Sequence, residues 1–132
     1  MKRSGLVPYN FAVLRAVPHV HLGAFVNVGV VVHAPTAEFL GMRVVTEPEK
    51  LRQLTPSVDA DLLSRYLRCC RRICEGDATA GPVALAAPSE RFHWLTAPRS
   101  DVLQSSPVHE GLATDPAAAV EELFASYVEG CS

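Results

Sequence analysis

Two arginines and an asparagine in the first third of the chain are residue types that bind a carboxylate or a phosphate. Arg15, Asn27 and Arg43 lie on three consecutive predicted strands. Pairing these strands about their connecting turns places Arg15 opposite Asn27 and Arg43 opposite Gly29, and residues paired across strands share a face. Guanidinium and amide groups around a glycine gap are suited to holding an anion. The alternative is an ordinary ion-paired or solvated sheet face, and a shift of one residue in either register would separate the group.

A second group of polar residues follows the predicted fourth strand. Within residues 96–107, Arg99, Ser100 and Asp101 place a cation, a hydroxyl and a carboxylate side by side. Loops that follow strands often carry binding groups, so we include these three residues among the candidates for binding a ligand or anion. The alternative is local turn and cap chemistry, in which Ser and Asp side chains pair with nearby backbone amides.

An aromatic group occupies the other end of the same predicted sheet face. It consists of Tyr9, Phe11 and Phe39, with His33 among them. Aromatic residues beside arginines are enriched at the centres of protein interfaces, and they also stack on nucleic-acid bases. We therefore take these residues as interface candidates.

The remaining reactive residues form no recognisable catalytic or metal-binding motif. The sequence contains no GxSxG, Walker loop, HExxH or GxGxxG pattern. His19 and His21 have a common spacing with no carboxylate or cysteine beside them. Cys70 and Cys74 lie one helical turn apart on an apolar stripe, where cysteine behaves as a small hydrophobic residue. We therefore assign no catalytic residue, no metal and no cofactor.

The elements that must position the candidates are predicted from hydrophobic periodicity. Alternating and β-branched residues predict strands over 9–17, 25–32, 39–45 and 91–96. Helical spacing predicts a short helix over 47–54, a second helix capped by Ser57 and ending before Gly76, and a last helix begun by Asp115-Pro116. The second helix carries a basic stripe, which is either a solvated face or a contact for an acidic partner. That stripe consists of Arg65, Arg68, Arg71 and Arg72.

The resulting order is β-β-β-α-α-β-α, which predicts an α+β fold in one domain over residues 1–132. We expect an antiparallel sheet of about four strands with the helices packed on one face. The predicted registers give one sheet face without a polar residue, and this is the face we expect the helices to cover. It comprises Ala12, Leu14, Ala16, Val26, Val28, Val30, Val32, Leu40, Met42 and Val44.

Composition narrows the class of function. The 132 residues suffice for one domain but not for a two-lobed cofactor enzyme or a (β/α)₈ barrel. A net charge of −2 gives no global basic excess of the kind that drives sequence-independent DNA binding. No apolar run approaches the roughly 20 residues of a membrane span, and the N-terminus is a poor signal peptide. Three of the four cysteines lie within six residues, which is untypical of a disulfide framework. We therefore expect a cytoplasmic protein with reduced thiols and no membrane contact.

The strand Phe-Val-Asn-Val-Gly-Val-Val at 25–31, following a strand that carries Arg15, resembles a bacterial family, domain of unknown function 3037. Members of that family have a similar first strand and turn, followed by an Asn-Val-Gly-Val or Asn-Ile-Gly-Val strand. They also have a polar segment similar to 96–107 and a final helix begun by Asp-Pro. The resemblance spans nearly the whole chain and implies no activity, so no catalytic residue is carried over. Some members look like neighbours of kinase-like genes related to the HipA toxin class, which implies a partner protein.

These observations favour a non-enzymatic accessory protein that binds a protein partner, either a second copy or a kinase-like, HipA-related protein. The alternative is a nucleic-acid or nucleotide (anion) binding module that uses Arg15, Asn27, Arg43 and the loop containing Arg99. A small hydrolase or nuclease acting through Asp101 is a third hypothesis, and a lone carboxylate gives it little support.

Overall fold

The computed structural model describes residues 5–18, 23–98 and 102–130, and this part of the chain contains five strands and four α-helices. The strands are β1 (Val7–Ala16), β2 (Val26–Ala34), β3 (Phe39–Val44), β4 (Leu103–Ser105) and β5 (His109–Ala113). The helices are α1 (Pro48–Leu54), α2 (Ala60–Cys74), α3 (Pro88–Thr96) and α4 (Pro116–Phe124).

All five strands belong to one antiparallel sheet. β2 lies between β3 and β1, and the other side of β1 pairs with β4 near its end and with β5 near its start. The predicted α+β class and antiparallel sheet are confirmed. β4 and β5 were not predicted, because both lie in residues 97–113, a polar segment for which periodicity predicts no strand or helix.

The predicted strand over 91–96 is wrong, since these residues form most of helix α3. Phe92 and Trp94 suggested the alternation of a strand, and aromatic residues favour strands in general. In the structure Phe92 and Leu95 are buried, three residues apart, while Trp94 is 38% exposed. Pro88 begins the helix at a position where its missing N–H costs nothing.

A β-bulge corrects the predicted strand registers. Arg15 does pair with Asn27, but Leu14 then pairs with Gly29, so that Val28 is an extra residue on β2. Beyond the bulge the predicted pairing is off by one, and so is the second hairpin, in which Arg43 pairs with Val30 instead of Gly29. The predicted core face therefore mixes residues from both faces of the real sheet.

Helices cover both faces of the sheet, which corrects the expectation of a single covered face. His33 contacts the Phe92 ring of α3, with ring centroids 5.3 Å apart. Arg43, on the opposite face, contacts Glu121 of α4. The face toward α3, here the α3 face, carries Ala12, Leu14, Gly29, Val31, His33, Met42 and Val44. The face toward α4, here the α4 face, carries Phe11, Val13, Val30, Val32, Gly41 and Arg43.

The last helix begins as predicted and ends in an unusual way. Asp115 accepts a hydrogen bond from the Ala117 N–H at 3.0 Å, and Pro116 is the first helical residue. After Phe124 the backbone widens into one π-helical turn, Ala125–Glu129, closed by the bond from Gly130 N–H to the Ala125 carbonyl. π-Helical turns often occur at functional sites, and this one forms a wall of an open groove.

Candidate binding groove

An open groove of about 600 Å³ lies between the start of β2, helix α1 and the π-helical turn. Most of its lining is apolar, and two aromatic rings at its mouth are exposed: Phe25 by 47% and Tyr127 by 39%. Its residues are Phe25, Val26, Asn27, Val45, Lys50, Leu54, Phe124, Tyr127, Val128 and Glu129. Concave apolar surfaces with a few polar groups are the usual form of binding sites.

Arg15 and Asn27, which the sequence predicted to be neighbours, both support this groove. The Arg15 guanidinium carbon lies 4.0 Å above the centre of the Phe25 ring, which is a cation–π contact. The Asn27 side-chain amide donates to the Tyr127 carbonyl oxygen at 2.9 Å and so occupies an acceptor near the end of the helix. Arg15 thus contacts one exposed ring, and Asn27 fixes the backbone that carries the other.

Arg43 and Gly29 do not form the predicted anion gap. Arg43 is ion-paired with Glu121, and its guanidinium carbon lies 4.4 Å from the centre of the Phe124 ring. Gly29 lies on the α3 face, where an added Cβ would meet the Val44 side chain and approach the Arg43 carbonyl oxygen to 3.0 Å. Gly29 therefore allows close strand packing and leaves no hollow between arginines.

Two of the four predicted interface residues are buried. Phe11 is 6% exposed and lies among rings, with centroid distances of 5.4 Å to His109 and 5.8 Å to Tyr127. His33 is 7% exposed and lies on the α3 face, where burial lowers the pKa of its imidazole below the usual 6.5. Neither side chain is presented to a partner.

The other two interface candidates are half-buried, because each ring lies across a glycine. A Cβ added to Gly111 would lie 2.5 Å from the Tyr9 ring, and one added to Gly41 would lie 2.5 Å from the Phe39 ring. Each ring packs one face against the backbone of a glycine, so that face is not accessible to a partner.

Arg99, Ser100 and Asp101 lie outside the described residues, as do His19 and His21. The chain after Asp101 forms the strands β4 and β5, with a buried hydroxyl between them. Ser106 Oγ accepts from the Val13 N–H at 2.9 Å and donates to the Pro107 carbonyl at 2.8 Å. The hydroxyl thus ties the segment to the sheet.

A second and more polar pocket of about 300 Å³ adjoins the groove and shares Val45, Lys50 and Phe124 with it. We call it the cationic pocket. Its lining consists of Met42, Arg43, Val44, Val45, Thr46, Glu47, Lys50, Arg71 and Phe124. Sequence reasoning missed Lys50 here, and the only signal for Arg71 was the basic stripe on α2.

The described residues contain no cluster of three or more metal-binding side chains. Cys74, one of the two cysteines a helical turn apart, is 3% exposed, and burial raises the pKa of its thiol to about 12. None of the helices in the described ranges is long and apolar enough to cross a membrane.

A family model matches residues 11–128, under the description "Protein of unknown function (DUF3037)". The chain belongs to the DUF3037 family. The match covers every residue that lines the groove except Glu129, and it confirms the resemblance seen in the sequence. No curated protein and no solved structure matches the chain significantly.

Proposed function

We propose that this member of the DUF3037 family is a non-enzymatic accessory protein of the bacterial cytoplasm that binds a protein partner. The observation that carries the proposal is the apolar groove with Phe25 and Tyr127 exposed at its mouth. The occupant is a segment of the partner that inserts an apolar side chain between these rings. A kinase-like protein is the partner class suggested by the family resemblance.

The groove has the composition of an interface hot spot. Aromatic residues and arginine dominate binding energy when they are held in place and lose water on binding. Phe25 is held by Arg15, and the backbone of Tyr127 is held by Asn27, so little order has to be created when a partner binds. This combination supports protein recognition over catalysis.

Nucleic-acid or nucleotide binding is the alternative proposal, and the arrangement favours it less. The rings that would stack on bases are the buried Phe11 and the half-buried Tyr9 and Phe39. Arg43, which would contact phosphate, is already ion-paired with Glu121. Stacking platforms for single strands need accessible ring faces beside free cations.

Selection from a display library of short random peptides tests the proposed function. We expect the selected peptides to carry a large apolar residue and to bind about tenfold or more weakly to Phe25→Ala and to Tyr127→Ala. Trp94→Ala is the matched control, because Trp94 is an aromatic residue of similar exposure (38%) outside the groove.

Two outcomes would overturn the proposal. One is a selection that enriches no peptide, or peptides that bind the two groove variants as tightly as the original chain. The other is salt-dependent binding of single-stranded RNA that is lost in Arg15→Ala, which would favour the alternative.

A further inference from the structure

The outer edge of β3 has no strand beside it in the described part of the sheet. The Val45 N–H donates to the Val28 carbonyl at 2.9 Å, and antiparallel pairs form these bonds at every second residue. Gly41 and Arg43 therefore direct their backbone groups toward β2, whereas Met42 and Val44 direct theirs outward. No backbone partner for the outward groups occurs among the described residues.

The cationic pocket lies along this open edge. It is lined by six consecutive residues, Met42 to Glu47, which include side chains from both faces of the sheet. Lys50 of α1, Arg71 of α2 and Phe124 of α4 complete the lining. Helix α2 packs against α3 and β3, whereas α4 packs on the opposite face of the sheet. A cavity bounded in this way is a slot whose floor is the edge of β3 and whose walls are two helices.

The opposite edge of the sheet is protected in the ways that are typical of natural edge strands. β4 has three residues, Pro107 separates it from β5, and β5 exposes His109 and Glu110. Short strands, proline and charged side chains prevent unwanted pairing. β3 has six residues without a proline or a bulge, and its charged residue Arg43 is engaged with α4. The β3 edge of the sheet therefore lacks the features that protect the edge formed by β4 and β5.

The charges around the slot indicate which strand it accepts. Lys50 and Arg71 are exposed and form no ion pair with any residue of the described part, while the lining contributes one carboxylate, Glu47. An acidic strand would place carboxylates near both cations. A second copy of this chain would bring its own Arg43 and cationic pocket to the edge, so like charges disfavour it.

We propose that β3 accepts an extended, acidic segment of the partner as an additional strand of the sheet. This inference rests on the proposed function and names the form that the partner takes: main-chain bonds to Met42 and Val44, carboxylates beside Lys50 and Arg71, and an apolar side chain that continues into the groove. Strand addition of this kind obtains its affinity from the backbone and its specificity from the adjoining pockets.

The probe is a synthetic peptide of alternating valine and glutamate, with a valine–lysine peptide of equal length for comparison. We expect the acidic peptide to bind at least tenfold more tightly and to slow amide hydrogen exchange at Met42 and Val44. Lys50→Glu and Arg71→Glu should each weaken the acidic peptide about tenfold. Arg68→Glu is the matched control, since it makes the same charge change on α2 outside the slot.

Main-chain pairing is tested separately from charge. Met42→Pro removes an outward N–H and should abolish binding, whereas Met42→Ala should retain it. A second measurement uses the original chain and changes only the acidic peptide. Methylating the backbone nitrogens at every second residue should abolish binding when those N–H groups face β3, and should leave binding intact when the other set of residues is methylated.

Each result decides between the two proposals. If the acidic peptide does not bind, or binds without protecting Met42 and Val44, strand addition is wrong. If library peptides still require Phe25 in that case, the proposed partner-binding function stands without it. If library peptides do not require Phe25 while the acidic peptide protects the β3 amides, strand addition stands and the groove is not the docking site.

Discussion

The two faces of the sheet differ in how completely the helices cover them. On the α3 face, Ala12, Leu14 and Val31 are at most 1% exposed. Leu63 and Leu67 of α2, the helix that packs against α3 and β3, are fully buried. On the α4 face, burial is equally complete at Val30 and Val32 but ends at the groove beside Phe25. The difference separates a closed core from a part of the sheet beside an open groove.

Element length explains the difference. Helix α4 and the π-helical turn that continues it to Glu129 are together about 20 Å long, whereas the nine residues of β2 extend over roughly 30 Å. The α3 face is served by α3 together with the 15-residue α2. One helical segment of this length does not cover the whole strand, and the groove lies at the uncovered start of β2, beside Phe25.

The largest expected effect is on the well-covered side. Leu67→Ala should lower the free energy of unfolding by about 2–5 kcal/mol, since it removes a fully buried side chain and leaves a cavity. Urea denaturation measures this loss. Leu85→Ala is the control, because Leu85 is 70% exposed and its truncation should change stability by less than about 0.5 kcal/mol. Equal losses in the two variants would contradict the comparison.

The same substitution at two glycines compares the faces directly. Gly29→Ala should destabilise by about 1–3 kcal/mol, because the new Cβ approaches the Arg43 carbonyl oxygen to 3.0 Å on the α3 face. Gly41→Ala on the α4 face should cost less than about 1 kcal/mol, since its obstacle is the end of the movable Phe39 side chain. Thermal unfolding of both variants measures the two losses of stability, and a larger loss for Gly41→Ala than for Gly29→Ala would contradict the prediction.

We expect His33 on the α3 face to make the free energy of unfolding sensitive to acid. Burial lowers the pKa of His33 in the folded chain below its usual 6.5, so the unfolded chain binds the proton more readily. Stability from the neutral imidazole is present above pH 6.5 and is lost as the pH falls through and below that value. The free energy of unfolding of His33→Leu should therefore fall less steeply with decreasing pH over this window. Parallel pH profiles for the two chains would contradict it.

The smallest effect is expected at the ion pair on the α4 face. The side chains of Arg43 and Glu121 are 46% and 60% exposed, so water screens their attraction. Arg43→Gln should cost no more than about 1 kcal/mol in chemical denaturation. Glu121→Gln serves as the reciprocal control, and a loss above about 2 kcal/mol in either variant would show that the pair is shielded from water.

Periodicity predicted the elements with strong patterns: the first three strands, α1, α2 and the last helix. It failed at α3, where Phe92 and Trp94 imitate a strand, and at β4 and β5, which are short and polar. The unbroken valine run at 30–32 was an available signal for burial on both faces, because strands covered on both sides lose their alternation.

The candidate site was predicted only where local geometry determines it. The pairing of Arg15 with Asn27 follows from the connection between β1 and β2. The approach of Tyr127 to Asn27 joins residues 100 positions apart and depends on how α4 packs. Lys50 comes to the same groove from α1, and no periodicity in the sequence relates these residues to one another.

The bulge at Val28 determines to which face of the sheet the residues before it on β2 point. If Val28 were paired regularly instead of bulging, Arg15 would pair with Val28 and Ala16 with Asn27, and the Asn27 amide would point to the same face as Gly29. The amide could then no longer reach the Tyr127 carbonyl. The bulge thus gives one strand two surroundings: its later part is a core strand buried on both faces, and its beginning lines the open groove.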